Sequence, residues 1–317
     1  MKKGKCVFLL LMVFMIAAGT VFAGGGRQAD QPFRAAFVTQ AMSNESQAFS
    51  WREFQRLAPE FGFSMRMFAG ENEPAVEVAG IEQAIAEGFD AIFINPSSIE
   101  SIIPAITRAR SAGIIVGMFS SLLPPEHQHL MTFFVGSDDF LGGQQAGQFL
   151  SQQFPRGGNA VEVGGHAVHI AQINRRDGFR AGIAPNINIL DSQNAPTGWN
   201  THEAMAIMED FIVRFGNQIN FVFCHWDNGA TGVIQALQNA GMRDVYVIGV
   251  DGNRTGYQQV HDGTQGLSVG QNFTNMVRQS LSNARGVLDG FAVPHINFIP
   301  LDMVTRDTIN NFPPPQW

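Results

Sequence analysis

Asp251 and Gln271 stand at the ends of two short apolar runs, Val245–Val250 and Leu267–Gly270, separated by a polar segment. A carboxylate accepts hydrogen bonds through both oxygens, and a neighbouring amide adds a donor and an acceptor. Together they suit paired hydrogen bonds to a hydroxyl-bearing molecule, and bonds with an ionised partner are the stronger ones. The runs have the length and Val/Ile content of strands buried on both faces of a parallel sheet. Tyr257 and Val260 follow Asn253 at helical spacing, and Gly263 can stop that helix. Ligands of open α/β sheets gather outside the carboxyl ends of the strands. Asp251 and Gln271 are therefore expected to grip a small polar ligand.

Catalytic arrangements are poorly supported. His127/His129 and His166/His169 have spacings that bring imidazoles together, but no cysteine or acid completes a zinc pattern. Cys224 ends the apolar run Phe221-Val222-Phe223 and reads as a packed core thiol. Asp138-Asp139 suits a hinge better than a general acid/base pair. There is no G-x-S-x-G elbow, and Gly164-Gly165 lacks a G-x-G-x-x-G continuation. No lysine occurs after Lys5, which excludes a P-loop lysine, a pyridoxal-phosphate Schiff base and a lysine-dependent aldolase. Neither a cofactor nor a metal is expected, and the chain is expected not to be an enzyme.

The first 23 residues read as an export signal: Lys2, Lys3 and Lys5, then an apolar stretch from Val7 to Ala18, then Val21-Phe22-Ala23 before Gly24. The stretch is shorter than the roughly 20 residues a spanning helix needs, so cleavage and a periplasmic location are expected. Residues 24–31 read as a disordered leader. The whole chain of 317 residues carries 20 basic and 27 acidic side chains, and losing three lysines takes the charge from -7 to 17 − 27 = -10. That balance, without basic runs, excludes nucleic acid as a partner. With Cys6 removed, Cys224 has no partner for a disulfide, so the fold must rest on its core.

The remaining chain alternates strand and helix with short connections, the pattern of a doubly wound parallel sheet. Strands are expected at Phe33–Thr39, Phe63–Phe68, Ala91–Ile94 and Ile114–Met118. Helices are expected over Phe49–Phe61, Val76–Ala86 and Ile99–Ala112. After Phe134-Val135-Gly136-Ser137-Asp138 the rhythm restarts with a helix over Gly142–Gln152, a strand near Val161–Val163 and a helix over Asp177–Ile183. The strand Ile187–Asp191, helix His202–Phe215, strand Phe221–Cys224 and helix Ala230–Ala240 follow. Val277–Leu288 is one more helix, and Pro313-Pro314-Pro315 suggests a loose tail.

Six landmarks in order now carry a resemblance across nearly the whole exported chain. They are Ile94-Asn95-Pro96, Gly136-Ser137-Asp138-Asp139 with Gly142-Gly143, Arg175-Arg176-Asp177-Gly178-Phe179, Trp199 with its following helix, Phe223 to Gly229, and Ile248-Gly249-Val250-Asp251-Gly252. In these the chain resembles the periplasmic sugar-binding proteins of the ribose- and galactose-binding type, the type I periplasmic binding proteins. The resemblance implies an α/β fold of two similar doubly wound, Rossmann-like lobes joined by a three-strand hinge. The crossings would fall near Asp138-Asp139, Gln271-Asn272 and Phe298-Ile299. One lobe would comprise residues 32–138 plus 272–297, the other 139–271 plus 298–317.

The family positions that contact the sugar correspond to Asn44, Asn95, Arg175, Asp251 and Gln271, and Trp199 takes the place of its aromatic clamp. Asn95 before Pro96 and Asp251 before Gly252 also have purely structural readings, as strand end and turn. Three departures stand out. Trp226 occupies the place of a family asparagine, just before Asp227. Ser120-Ser121 replaces an aspartate and its polar companion. The first loop reads Asn44-Glu45-Ser46-Gln47 where a proline and two aromatics are usual. Ser46, Gln47, Ser120, Ser121, Trp226 and Asp227 join the expected ligand set, and Glu45 is an added acid of open direction. The implied function is capture of a sugar-like ligand by a monomer that delivers it to a membrane ABC permease and its ATPase. A sensor or chemoreceptor component and a nucleoside-binding protein of the same fold are the alternatives.

Overall fold

The structure, a computed structural model, describes residues 31–315 and Trp317. The export signal and nearly all of the leader lie outside the described residues.

Among the described residues, twelve strands form two six-stranded sheets. The first contains β1 (Phe33–Thr39), β2 (Phe63–Ala69), β3 (Ala91–Asn95), β4 (Ile115–Phe119), β5 (Phe133–Gly136) and β11 (Ile296–Phe298), in the order β11-β5-β4-β3-β1-β2. The second contains β6 (Gly158–Gly164), β7 (Ile187–Asn194), β8 (Phe221–Cys224), β9 (Tyr246–Asp251), β10 (Leu267–Gly270) and β12 (Asp302–Val304), in the order β12-β10-β9-β8-β6-β7. All pairings are parallel except that of β12 with β10. Two doubly wound lobes result, the architecture the resemblance implied.

Each sheet is covered on both faces, which is why its strands are continuous apolar runs rather than alternating ones. Along β1, Ala35 and Phe37 point to one core with α1 (Glu45–Leu57) and α9 (Phe273–Leu288). Ala36 and Val38 point to another, with α2 (Pro74–Ala86) and α3 (Ile99–Ser111). In the second lobe Val222 and Cys224 pack toward α6 (Thr201–Phe215) and α7 (Asp227–Asn239), while Phe221 and Phe223 pack toward α4 (Asp139–Gln153) and α5 (Ile170–Gly182). Cys224 is buried there, and burial pushes its thiol pKa up, as befits an inert core thiol.

Two elements differ from the sequence expectation in ways that matter for the site. Helix α5 begins at Ile170, not Asp177, because His169 caps it by accepting from the Ala171 amide. Histidine is not among the usual capping types, so no start signal was visible. The consequence is that Arg175 lies inside the helix. The stretch after Phe298, whose three prolines suggest a loose tail, contains β12 and ends against α8 (Arg254–Asp262). There the Arg254 amide donates to the Trp317 carbonyl, and the Trp317 ring stacks on Phe49. No helix among the described residues is long and apolar enough to cross a membrane.

Candidate functional site

The carboxyl ends of both sheets face one cavity of about 400 Å³, counting its open mouth. From the first lobe it is lined by Gln40, Asn44, Ser46, Gln47, Asn95 and Ser120; from the second by His169, Ala171, Arg175, Trp199, Trp226 and Asp251. Gln271 and Phe273 border it where the chain passes from β10 to α9. Ten of the twelve residues singled out in the sequence are thus brought together. Ser121 and Asp227 are not on the cavity wall.

The first-lobe wall is tied together before any ligand arrives. Asn44 caps α1, its Oδ1 accepting from the Ser46 amide at 3.0 Å and the Ser46 hydroxyl at 2.8 Å. Gln47 donates to the Ser46 hydroxyl at 3.1 Å and accepts from the Thr39 hydroxyl at 2.7 Å. Asn95, the last residue of β3, accepts from the buried Ser121 hydroxyl at 2.7 Å, so Ser121 orients Asn95 from behind. In both asparagines these bonds occupy the amide oxygen and not the nitrogen, which is a donor. Ser120 has φ +60° between Phe119 and Ser121, whose amide donates to the Phe119 carbonyl at 2.7 Å. This is the strained form of three-residue turn, and strain of this kind gathers at ligand sites.

Arg175 is placed by close helix packing. A Cβ on Gly143 of α4 would come within 2.2 Å of the Arg175 carbonyl oxygen, and one on Gly178 of α5 within 2.0 Å of the Phe140 carbonyl. Only glycine lets the two backbones touch, which brings Arg175 beside Asp139. The guanidinium donates to Asp139 Oδ1 at 2.8 Å and to the His225 carbonyl at 2.6 Å, both side chains being nearly inaccessible. Burial raises the Asp139 pKa and the Arg175 charge pulls it back part of the way. One guanidinium nitrogen is left for the cavity.

Asp251 has φ +132°, unusual for a residue with a side chain. Asp227 lies beneath it, fully buried, and accepts from the Gly252 amide at 2.8 Å, the Ser268 hydroxyl at 2.7 Å and Gln265 at 2.8 Å. Asp227 thus holds the turn that aims Asp251 and does not itself reach the cavity. Gln271 donates to Asp251 Oδ1 at 3.1 Å and presents its own Oε1 without a partner. Burial pushes the pKa of both Asp227 and Asp251 up.

The two tryptophans rest on glycines. A Cβ on Gly165 would come within 2.3 Å of the Trp199 ring, and one on Gly229 within 2.4 Å of the Trp226 ring. Trp199 meets Trp226 edge-on at 5.6 Å and His169 edge-on at 5.5 Å, with the Arg175 guanidinium carbon 5.6 Å from a Trp199 ring centre. Both indole N–H groups lack a partner. Buried donors without partners are costly, so they point to an acceptor supplied from outside the chain.

Gln40, His169 and Phe273 were not singled out as ligand-contacting residues. Gln40 opens the polar loop after β1, of which the expected ligand set takes only Asn44, Ser46 and Gln47, and the spacing of His169 from His166 points only to a metal. Among the described residues no group of three or more His, Cys, Asp or Glu side chains is placed to hold a metal ion.

Residues 35–291 match the periplasmic binding protein domain. The chain is 27% identical over 253 residues to the ribose import binding protein RbsB of Escherichia coli strain K12, covering 80% of this chain and 83% of that protein. It is 28% identical over 246 residues to the xylitol-binding protein of Mycolicibacterium smegmatis, covering 76% and 68% of the two. A crystal structure of a galactofuranose binding protein superposes with a TM-score of 0.82 at 25% identity, covering 88% of this chain and 97% of that one. A Bacillus halodurans ABC transporter solute binding protein with bound myo-inositol gives the same score at 22% identity, a likeness of fold, over 89% and 97% of the chains. With two lobes closing polar strand ends on one cavity, and a family match spanning most of its length, the chain belongs to the periplasmic binding proteins.

Proposed function

We propose that this chain captures an uncharged sugar or sugar-like polyol in the cleft between its lobes and hands it to a membrane ABC importer. The observation that carries this reading is the convergence of Asp251, Gln271, Arg175 and Asn95 on one cavity beside two indole N–H groups that the fold leaves unpaired. Such a wall offers directional partners to hydroxyl groups and rings to the apolar faces of a sugar. The relatives are named for ribose and xylitol, and the structural neighbour for galactofuranose, all polyhydroxylated. Where relatives of the ribose- and galactose-binding type often place a carboxylate in the first lobe, this cavity has the neutral Ser120, which argues for a ligand other than ribose or galactose pyranose.

In this reading the lobes are residues 32–138 plus 272–297 and residues 139–271 plus 298–317, and their closure hides the ligand from water. The protein works as an exported monomer in the periplasm, and a permease with its ATPase is the recipient. Presentation of the same ligand to a chemoreceptor is the second role compatible with this site. At the level of the ligand, the adjoining Trp199 and Trp226 favour a nucleoside as the second reading. A thermal-shift panel of monosaccharides, cyclitols and nucleosides tests the assignment. At a hundredfold excess over its dissociation constant a ligand adds about 2.7 kcal/mol. A sugar or cyclitol should raise the melting temperature; a panel in which none does so contradicts the reading.

A further inference from the structure

Arg306, Pro313 and Trp317 each bond to α8, at three points that run backwards along it. The Arg306 guanidinium donates twice to the His261 carbonyl, at 2.8 and 3.2 Å. The Pro313 carbonyl accepts from the Tyr257 hydroxyl at 3.4 Å, and the Trp317 carbonyl accepts from the Arg254 amide. Arg254 is the first residue of α8, so its amide is one of those a helix cannot satisfy internally; Trp317 supplies the acceptor. Ahead of that last anchor, the rings of Pro313, Pro314 and Pro315 fix their own φ angles, so the segment is stiff and loses little freedom by staying extended. It is fastened along one helix of the second lobe.

Its last ring packs in the other lobe. Trp317 is stacked on Phe49 of α1, with centroids 6.0 Å apart and planes at 17°, and meets Phe273 of α9 edge-on at 5.4 Å. Both phenylalanines belong to the buried core of the first lobe, and Phe273 also borders the cleft. Trp317 does not line the cleft. With the three prolines it walls a separate hollow of about 350 Å³ beside Gln271 and Asn272, where the chain crosses between the lobes.

We propose that the segment carrying Pro313–Pro315 and Trp317 is an interlobe strap: bonded to α8, it seats its indole in the first lobe and so holds the cleft closed. The inference rests on the two-lobe division and on the cleft being the sugar site. Opening the cleft separates α8 from α1 and α9. The indole must then leave Phe49 and Phe273, or the segment must leave α8. An indole on two rings buries apolar area that opening would return to water. Trp317 therefore sets affinity without touching the ligand, because the apparent dissociation constant is the intrinsic one divided by the fraction of closed chains. Every ligand of the cleft gains by the same factor.

The test pairs solution X-ray scattering of the ligand-free full chain with calorimetric titration by whichever of D-ribose, D-allose, xylitol and myo-inositol binds it. Trp317→Ala should have a larger radius of gyration than the wild type when free, and the same radius when saturated with ligand. It should bind about tenfold more weakly, as a tenfold smaller closed fraction dictates, and by one factor for every compound that binds. Trp317→Phe keeps an aromatic ring and should fall between the two in both measurements. Arg254→Pro removes the side chain and the anchoring amide hydrogen, while proline is favoured at the first position of a helix. Asn253 before it, with φ -78° and ψ 174°, already has the extended form that a following proline requires. Arg254→Pro should behave as Trp317→Ala does, and Arg254→Ala, which keeps the amide, as the wild type does. Affinity within about twofold of wild type in either Trp317→Ala or Arg254→Pro would overturn the strap. So would free variants as compact as the wild type, or losses that differ from one ligand to the next. If the wild type binds none of the compounds, the sugar-site reading fails, and scattering of the free chains still decides the strap.

Discussion

Gln271 is bonded to Asp251 twice, its backbone amide donating to the Asp251 carbonyl at 2.8 Å and its side chain to Asp251 Oδ1 at 3.1 Å. The acid at the end of β9 is thereby fixed by the residue at which the chain leaves the second lobe. Ligand grip and lobe hinge share a contact. Gln271→Ala removes one carboxylate bond and the unpaired Oε1 together, and it is expected to weaken sugar binding by roughly tenfold to a hundredfold. Calorimetry checks the figure, and a loss below threefold would show that Gln271 serves the hinge alone.

Asp227 should matter for folding more than its absence from the cavity suggests. Asp227→Ala leaves the Gly252 amide, Ser268 and Gln265 without their shared acceptor. A cost of about 3 kcal/mol or more is expected from buried donors left unpaired. Urea unfolding measures it, and a cost under 1 kcal/mol would contradict the role assigned here.

The neutral imidazole of His169 makes stability depend on pH. Its folded pKa lies at about 3, below the ordinary 6.5, so between these values the unfolded chain binds a proton that the folded chain refuses. The contribution is present above pH 6.5 and is lost as pH falls toward 3. Between pH 7 and 4.5 the wild type should lose roughly 2–3 kcal/mol more than His169→Asn. Asp227 and Asp251, whose raised pKa values act in the opposite direction, are common to both proteins and cancel in the comparison. Parallel pH profiles for the two proteins would show that His169 is protonated in the fold.

Gly229→Ala tests the seat of Trp226. Alanine favours the helix by about 0.5–1 kcal/mol, but its Cβ would fall 2.4 Å from the indole. The ring must move. The expected result is a shifted tryptophan emission and weaker sugar binding in a protein whose helix content is unchanged. Wild-type emission and affinity together would place the indole outside the site.

At the rim, Asn228 donates to Glu45 Oε2 at 2.9 Å from one lobe to the other. Glu45 is exposed and Asn228 half-buried at the rim, and solvent and salt reduce such contacts to below about 1 kcal/mol. Glu45→Gln should therefore change affinity less than about threefold, and a larger effect would mean that Glu45 reaches the ligand.

Much of this fold was legible because its strands are buried on both faces. The runs at Phe33–Thr39, Phe221–Cys224 and Leu267–Gly270 have the same bounds in sequence and structure. Residues that end such strands, among them Asn95, Asp251 and Gln271, could be placed at the cleft by topology alone. What escaped the sequence depends on contacts between distant segments. His169 caps a helix without being a usual cap, and only the opposite lobe reveals that it meets Gln40. Asp227 has the chemistry of a ligand acid, but three donors from β9 to β10 enclose it. Trp317 follows three prolines and reads as tail, whereas Phe49 and Phe273 give it a place to pack.

The most direct test of the central claim is a crystal structure of the wild-type protein grown with the sugar that most raises its melting temperature. The account predicts one molecule in the cleft, with ligand oxygens about 2.6–3.2 Å from Asp251, Gln271, Arg175 and Asn95. A sugar bound elsewhere, or bound in the cleft without touching Asp251, would contradict it.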